Sequence, residues 1–117
     1  MPSRTPSLRL RDIVESARLI EAHTRGLSRE QFERDHLRRD ATLYGLLRIS
    51  EAARKLGGAA EELVPGQPWR NIRSFGNALR HDDDELNLDR VWEIVMRDLP
   101  SLRAACEAAL RRLEAGG

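Results

Sequence analysis

A chain of 117 residues with 40% hydrophobic content has the length of one domain and enough apolar material to bury a core. Its 20 basic and 19 acidic side chains leave a formal net charge of +1, so no global field draws it onto nucleic acid or a membrane surface, and any affinity for RNA has to be local. A lone cysteine excludes an internal disulfide, and the sequence contains neither a signal-peptide-like apolar stretch nor a run of about 18 apolar residues, which together point to a soluble, unexported protein of a reducing cytoplasm.

In chain order, Leu10, Ile13, Ala17 and Ile20 recur at the three-and-four spacing of one helical face, which predicts a first helix over about Leu8 to Thr24. Gly26 is a natural stop. Ser28 and Gln31 then form a capping box, with Leu27 able to staple onto Phe32, so a short second helix begins there. Leu43, Leu46, Ile49, Ala53 and Leu56 predict a third helix from near Asp40 to Gly57-Gly58. The stretch EELVPGQP, Glu61 to Pro68, reads as a connection. Pro68 can occupy the first turn of a fourth helix running from Trp69 to about His81, and Asp82 to Glu85 form the next loop. Asn87 caps a long final helix whose Leu88, Val91, Val95, Leu99, Leu102, Cys106 and Leu113 hold one face. Pro100 lies inside that run and is expected to bend or split it without ending the fold. No segment alternates with period two. The expectation is one all-α domain over residues 1–117, with its core at about 8–113: an up-and-down bundle of four to five helices. The continuous apolar face of the last helix suggests that it dimerises.

All the basic residues but Lys55 are arginine, whose planar fork suits phosphate and carboxylate, although a GC-rich codon bias explains this as well. Cys106 stands at an apolar helical position and reads as a buried structural thiol. His23 sits at the end of the first helix, where the carbonyl end of the dipole favours a cation, and His36 lies among alternating charges on a solvated turn. His81 stands before Asp82, Asp83 and Asp84, but nothing near it supplies metal-ligand spacing, so no metal or other cofactor is expected. At 100° per residue, Arg73, Asn77, Arg80 and His81 share one helical stripe. Imidazole to take a 2′-hydroxyl proton and guanidinium to hold a developing phosphorane are sufficient for RNA cleavage without metal. On an arginine-rich helix, such a stripe also arises as a solvated face.

The segment PWRNIRSFGNALRH, with ISEAARKL before it, VWEIVMRDLP after it and RDIVESARLIEAHTRGLSREQFERD at the start, resembles the HepT-like branch of the HEPN superfamily. The resemblance runs from about Leu8 to Ala109. It implies a dimerising helical bundle and a metal-independent ribonuclease, the toxin of a pair whose antitoxin is an MntA-like minimal nucleotidyltransferase. The family's signature is an Arg, four to six residues and a His, with a Tyr two residues later that the antitoxin AMPylates. Mapped here, the His is His81 and the polar residue after the Arg position is Asn77. The Arg position holds Gly76 and the Tyr position holds Asp83. Arg73 or Arg80 could replace the missing guanidinium, whereas the neighbouring aspartates work against an approaching phosphate. Two function classes follow: an endoribonuclease using His81, Asn77 and Arg73 or Arg80, or a catalytically silent dimer that binds its nucleotidyltransferase partner.

Overall fold

The computed structural model describes residues 5–75 and 85–116. Among them the chain is all-α, with α1 at Pro6–Thr24, α2 at Arg29–Arg34, α3 at His36–Leu56, α4 at Ala59–Leu63, α5 at Trp69–Arg73, α6 at Leu88–Glu93, a π-helical turn at Ile94–Asp98, and α7 at Leu99–Gly116. The bundle is built around α1, which packs against both α3 and α7. None of these helices is long and apolar enough to cross a membrane.

Most of the boundaries follow from local chemistry. Proline opens α1 at a position where an N–H has no helical partner. At the other end, Thr24 donates its hydroxyl to the Ile20 carbonyl at 2.9 Å, and Gly26 takes the left-handed φ of 77° that turns the chain away. The capping box at α2 forms as expected, with the Gln31 N–H donating to Ser28 Oγ at 3.1 Å and the Ser28 N–H to Gln31 Oε1 at 2.9 Å. Leu27 packs against the same apolar cluster that buries Phe32.

Two expectations need correction. Helix α3 starts at His36, four residues before Asp40, because Asp35 caps it by accepting from the Arg38 N–H at 3.1 Å. Apolar spacing could not reveal this first turn, in which Leu37 remains 82% exposed. The connection expected from Glu61 to Pro68 is shorter, since Ala59–Leu63 forms α4 with Ala60 buried in the core. The true turn follows Leu63 and uses Gly66 at a φ of 90°. There the Trp69 indole N–H donates to the Val64 carbonyl at 2.8 Å, which satisfies the ring's one polar atom as it is buried.

The fourth helix also differs from its expected form. Pro68 is its N-cap, and α5 ends at Arg73 with Ser74 as C-cap at φ −113° and ψ 30°. The residues from 76 to His81 lie outside the described part, as do Asp82, Asp83 and Asp84 of the next expected loop. In the final helix Asn87 caps as predicted, its Oδ1 accepting from the Arg90 N–H at 3.1 Å. Pro100 is accommodated by the π turn just before it. The Leu99 N–H reaches back five residues to the Ile94 carbonyl, a wider turn that absorbs the disrupted bonding around the proline ring. The helix then continues to Gly116, with Leu102 and Cys106 still facing the core.

α1 and α3 approach one another closely at Gly45. A Cβ at Gly45 would fall 2.7 Å from Ile20 Cγ1 and 2.8 Å from its Cδ1, and Ile20 is fully buried. Only hydrogen at this position allows the two axes to approach so closely. Salt bridges fasten the outer edges. Glu107 of α7 receives Arg18 of α1 at 2.7 Å and also Arg103, whose Nε lies 2.7 Å from Glu21 of α1. Arg29 pairs with Asp89 to join α2 to α6, and the rings of Phe32 and Trp92 pack between the same elements with centroids 5.2 Å apart and planes tilted by 39°.

Two stability measurements follow. Gly45→Ala gains helix propensity of about 1 kcal/mol but must displace Ile20. Overpacking of this kind costs roughly 1–3 kcal/mol, so the variant should be less stable in urea titration. In an Ile20→Ala background the same change should be neutral or stabilising. Hydrogen bonds from Arg18 and then Arg103 hold the Glu107 carboxyl below its ordinary value of 4.5. A carboxyl depressed in the folded state contributes stability above its unfolded value and loses it as pH falls through the folded one. Unfolding midpoints should therefore drop on acidification below about pH 4.5, with a smaller drop in Glu107→Gln.

Candidate functional site

Of the four residues on the expected stripe, Arg73 is described, and it is held at both ends. Its guanidinium donates to the Gly57 carbonyl at 2.8 Å and to both carboxylate oxygens of Glu61, with Nη1 to Oε2 at 3.2 Å. Its carbonyl, one of the orphan acceptors at the end of α5, receives Ser50 Oγ at 2.9 Å and Arg54 Nη1 at 2.7 Å. The Arg54 nitrogen also donates to Ser50 Oγ at 3.0 Å, and its other terminal nitrogen lies 2.7 Å from Glu51. One charged residue, Arg54, and one buried hydroxyl, Ser50, thus converge from α3 on the last residue of α5. Both carboxyls respond: Arg73 lowers the pKa of Glu61 and Arg54 that of Glu51, in each case mainly through the hydrogen bond.

This geometry changes the reading of Arg73. Its side chain already has a carboxylate and a carbonyl as partners, so offering it to a phosphate would mean breaking those contacts. Asn77, Arg80 and His81 lie outside the described residues, together with Gly76 and Asp83, so the stripe that would bring them to Arg73 rests on the sequence alone.

The other titratable candidates resolve more simply. His23 occupies the last turn of α1, as expected from the dipole, beside Leu19, Ala41, Tyr44 and Arg48. His36 is the first residue of α3 and is not on a turn, with Nδ1 2.9 Å from Arg39 Nη2. Cys106 is fully buried, and burial pushes its thiol up to about 12, which leaves no thiolate for chemistry at neutral pH. Among the described residues no group of His, Cys, Asp and Glu could hold a metal ion.

Sequence reading missed two features. One is the Ser50 and Arg54 pair, whose signal was a polar side chain buried at a helical position between apolar ones. The other is an exposed apolar surface on α3 and α1: Leu37, Tyr44, Leu47 and Leu19 are 82, 66, 49 and 51% exposed. Leu37 and Tyr44 stand seven residues apart and so share one face of α3.

Comparison with known proteins bears on all of this. A family model described as "Ribonuclease HepT-like" matches residues 13–109. A protein of Thermococcus cleftensis named "Probable ribonuclease HepT" is 32% identical over 98 residues, which is 84% of this chain and 89% of that protein. A Methanocaldococcus jannaschii protein named as a candidate RNase is 28% identical over 107 residues, covering 92% of this chain and 98% of its own length. Another candidate RNase, from Caldanaerobacter subterraneus, is 25% identical over 109 residues, 93% of this chain and 97% of its own. No solved structure matches the chain.

Proposed function

This chain belongs to the HepT-like ribonuclease family, and from that membership we propose that it is the toxin of a toxin–antitoxin pair, a metal-independent endoribonuclease that works as a homodimer in the cytoplasm. The observation that carries the reading is the family match over residues 13–109, which includes the whole PWRNIRSFGNALRH segment and His81.

The chemistry needs few groups. A neutral His81 imidazole takes the proton of a ribose 2′-hydroxyl. The freed oxygen attacks the adjacent phosphorus, the bond to the 5′-oxygen of the next nucleotide breaks, and that oxygen leaves with a proton. The products are a 2′,3′-cyclic phosphate and a 5′-hydroxyl. Asn77 orients the phosphate and an arginine stabilises the extra negative charge of the phosphorane. Because the Arg73 guanidinium is already engaged by Glu61 and Gly57, Arg80 is the better choice for that anchor.

Dimerisation has a physical motive in the exposed Leu19, Leu37, Tyr44 and Leu47, a patch that a monomer would leave in water. The partner protein is read as an MntA-like minimal nucleotidyltransferase.

A second reading is favoured by Gly76 and Asp83 standing where the family has Arg and Tyr, and by the commitment of Arg73 to Glu61. On it, the chain is a silent dimer that keeps only its binding role.

Incubation of the purified protein with RNA in EDTA separates the two. The enzyme reading expects cleavage that EDTA leaves intact and His81→Ala abolishes, with Arg80→Ala lower by roughly 100-fold. Gly76→Arg should raise the rate. An inert wild type together with an inert Gly76→Arg protein would leave the binding reading alone. The dimer is tested by light scattering: wild type should run at twice 13.3 kDa, and Tyr44→Glu with Leu47→Glu should shift it to monomer. A wild type that stays monomeric at micromolar concentration refutes the pairing.

A further inference from the structure

We propose that the cleft between α1 and α3 lined by Arg9, Arg48 and Lys55 is a phosphate-binding contact that holds the backbone of a single-stranded RNA. Naming RNA as the source of the phosphate rests on the ribonuclease reading, whereas the anion site itself stands on the arrangement of charges.

With a net charge of only +1, the chain can attract RNA only where uncommitted cations gather. Arg18, Arg29, Arg54, Arg73 and Arg103 are each engaged by a carboxylate, which leaves them little to offer a phosphate. Arg48 and Lys55 differ. Both are exposed, and among the described residues neither makes a hydrogen bond or an ion pair. They stand seven residues apart, two turns of α3, and so share one face. α1 packs on α3 and brings Arg9 to the same cleft, which has a volume of about 170 Å³ and includes the small, buried side chain of Ala52 in its wall.

Two carboxylates line the cleft as well, and each already has a guanidinium partner. Asp12 lies 3.3 Å from Arg9 Nη1, and Glu51 lies 2.7 Å from Arg54 Nη2. The Arg54 hydrogen bond is the main reason that the Glu51 carboxyl titrates below its ordinary value of 4.5; the charges of Lys55 and Arg9 add to it, so their fields meet at this point. Arg9 also keeps a donor in reserve, because its Nε is buried and has no hydrogen-bond partner. An unmade hydrogen bond of this kind is costly, and a phosphate oxygen that draws the guanidinium outward supplies the partner. Guanidinium and ammonium donors that converge on a concave space suit a phosphate, with its several acceptor oxygens, better than they suit one carboxylate of a protein surface. The cleft adjoins the exposed apolar residues, Arg48 following Leu47 directly, so its test has to keep the dimer in view.

The probe is a 2′-O-methyl oligoribonucleotide, which lacks the free hydroxyl that transesterification needs and so reports binding alone. Its affinity is measured by fluorescence anisotropy across salt concentrations for wild type, Arg48→Ala, Lys55→Ala and Glu51→Gln. Arg111→Ala, which removes one exposed cation outside the cleft, is the control. Each phosphate contact with a single strand contributes about 0.7 to the slope of log affinity against log salt, equivalent to about fivefold in affinity near 0.1 M salt. Arg48→Ala and Lys55→Ala should each lose about that much, and Arg111→Ala should lose neither slope nor affinity. Glu51→Gln should bind more tightly, because it takes a negative charge out of the cleft. Light scattering should give the same mass for every variant as for wild type. Arg48→Ala and Lys55→Ala proteins that keep the wild-type slope overturn the proposal, and so does an Arg111→Ala protein that flattens it equally, the sign of an effect of overall charge. A change in mass with the slope unaltered also overturns it, since the cleft is then a contact between proteins. Inorganic phosphate is titrated separately, with the amide resonances of α1 and α3 as the readout. A response to phosphate without binding of the oligonucleotide means that the cleft takes the free anion, and the assignment to RNA fails. A wild type that binds the probe with the expected slopes yet cleaves no RNA removes the ribonuclease reading and leaves the cleft standing.

Discussion

The close approach of α1 and α3 at Gly45 is the constraint on which the other contacts depend. With no side chain at that point, Ile20 can lie against the α3 backbone, and the two helices bury Leu10, Ile13, Ala17, Leu46, Ile49 and Ala53 between and around them. α7 then lies along the other side of α1 and is tied to it by Arg18, Glu107, Arg103 and Glu21. Small shifts in that first contact would propagate, because close-packed interiors have little free volume in which to absorb them. Part of α3 is left facing outward, with Leu37, Tyr44 and Leu47 exposed, whereas the buried Ser50 turns toward α5.

Pro100 shows how a local defect is absorbed without changing the fold. A proline inside an α-helix removes one backbone bond and crowds the carbonyl four residues earlier, at a cost of about 3 kcal/mol if nothing relaxes. The π turn at Ile94–Asp98 widens the backbone just ahead of it, and Leu99 bonds to Ile94. The apolar face continues on both sides, with Val91, Ile94, Val95 and Leu99 buried before the proline and Leu102 and Cys106 buried after it. Burial of that face offsets the irregularity.

Among the described residues, much of the arginine charge is managed by pairing. The chain is rich in arginine, yet Arg18, Arg29, Arg54, Arg73 and Arg103 each face a carboxylate. Exposed pairs of this sort contribute little to stability individually. Their larger effect is on direction: a guanidinium bound to Glu61 and a main-chain carbonyl has a set orientation, and what remains for RNA is correspondingly local. The small net charge of +1 is consistent with this arrangement.

Much of the fold was legible in the sequence because it depends on short-range chemistry. Apolar spacing marked the buried faces of α1, α3 and the final helix. The capping box at Ser28 and Gln31, the Asn87 cap and the stop at Gly26 are interactions within a few residues, and the position of His81 in a family-like segment could be read directly. What tertiary structure alone decided lies where no periodic signal exists. The first turn of α3 is held by an Asp35 cap ahead of any apolar residue, and α4 packs through Ala60 inside what reads as a proline-rich connection. Arg73 looked like a phosphate ligand because a helical wheel assigns faces by angle, with no knowledge of what lies opposite. Ser50, Arg54, Gly57 and Glu61 are 12 to 23 residues away in sequence and meet it only after α3, α4 and α5 have packed, and those meetings turn a free cation into a structural tether.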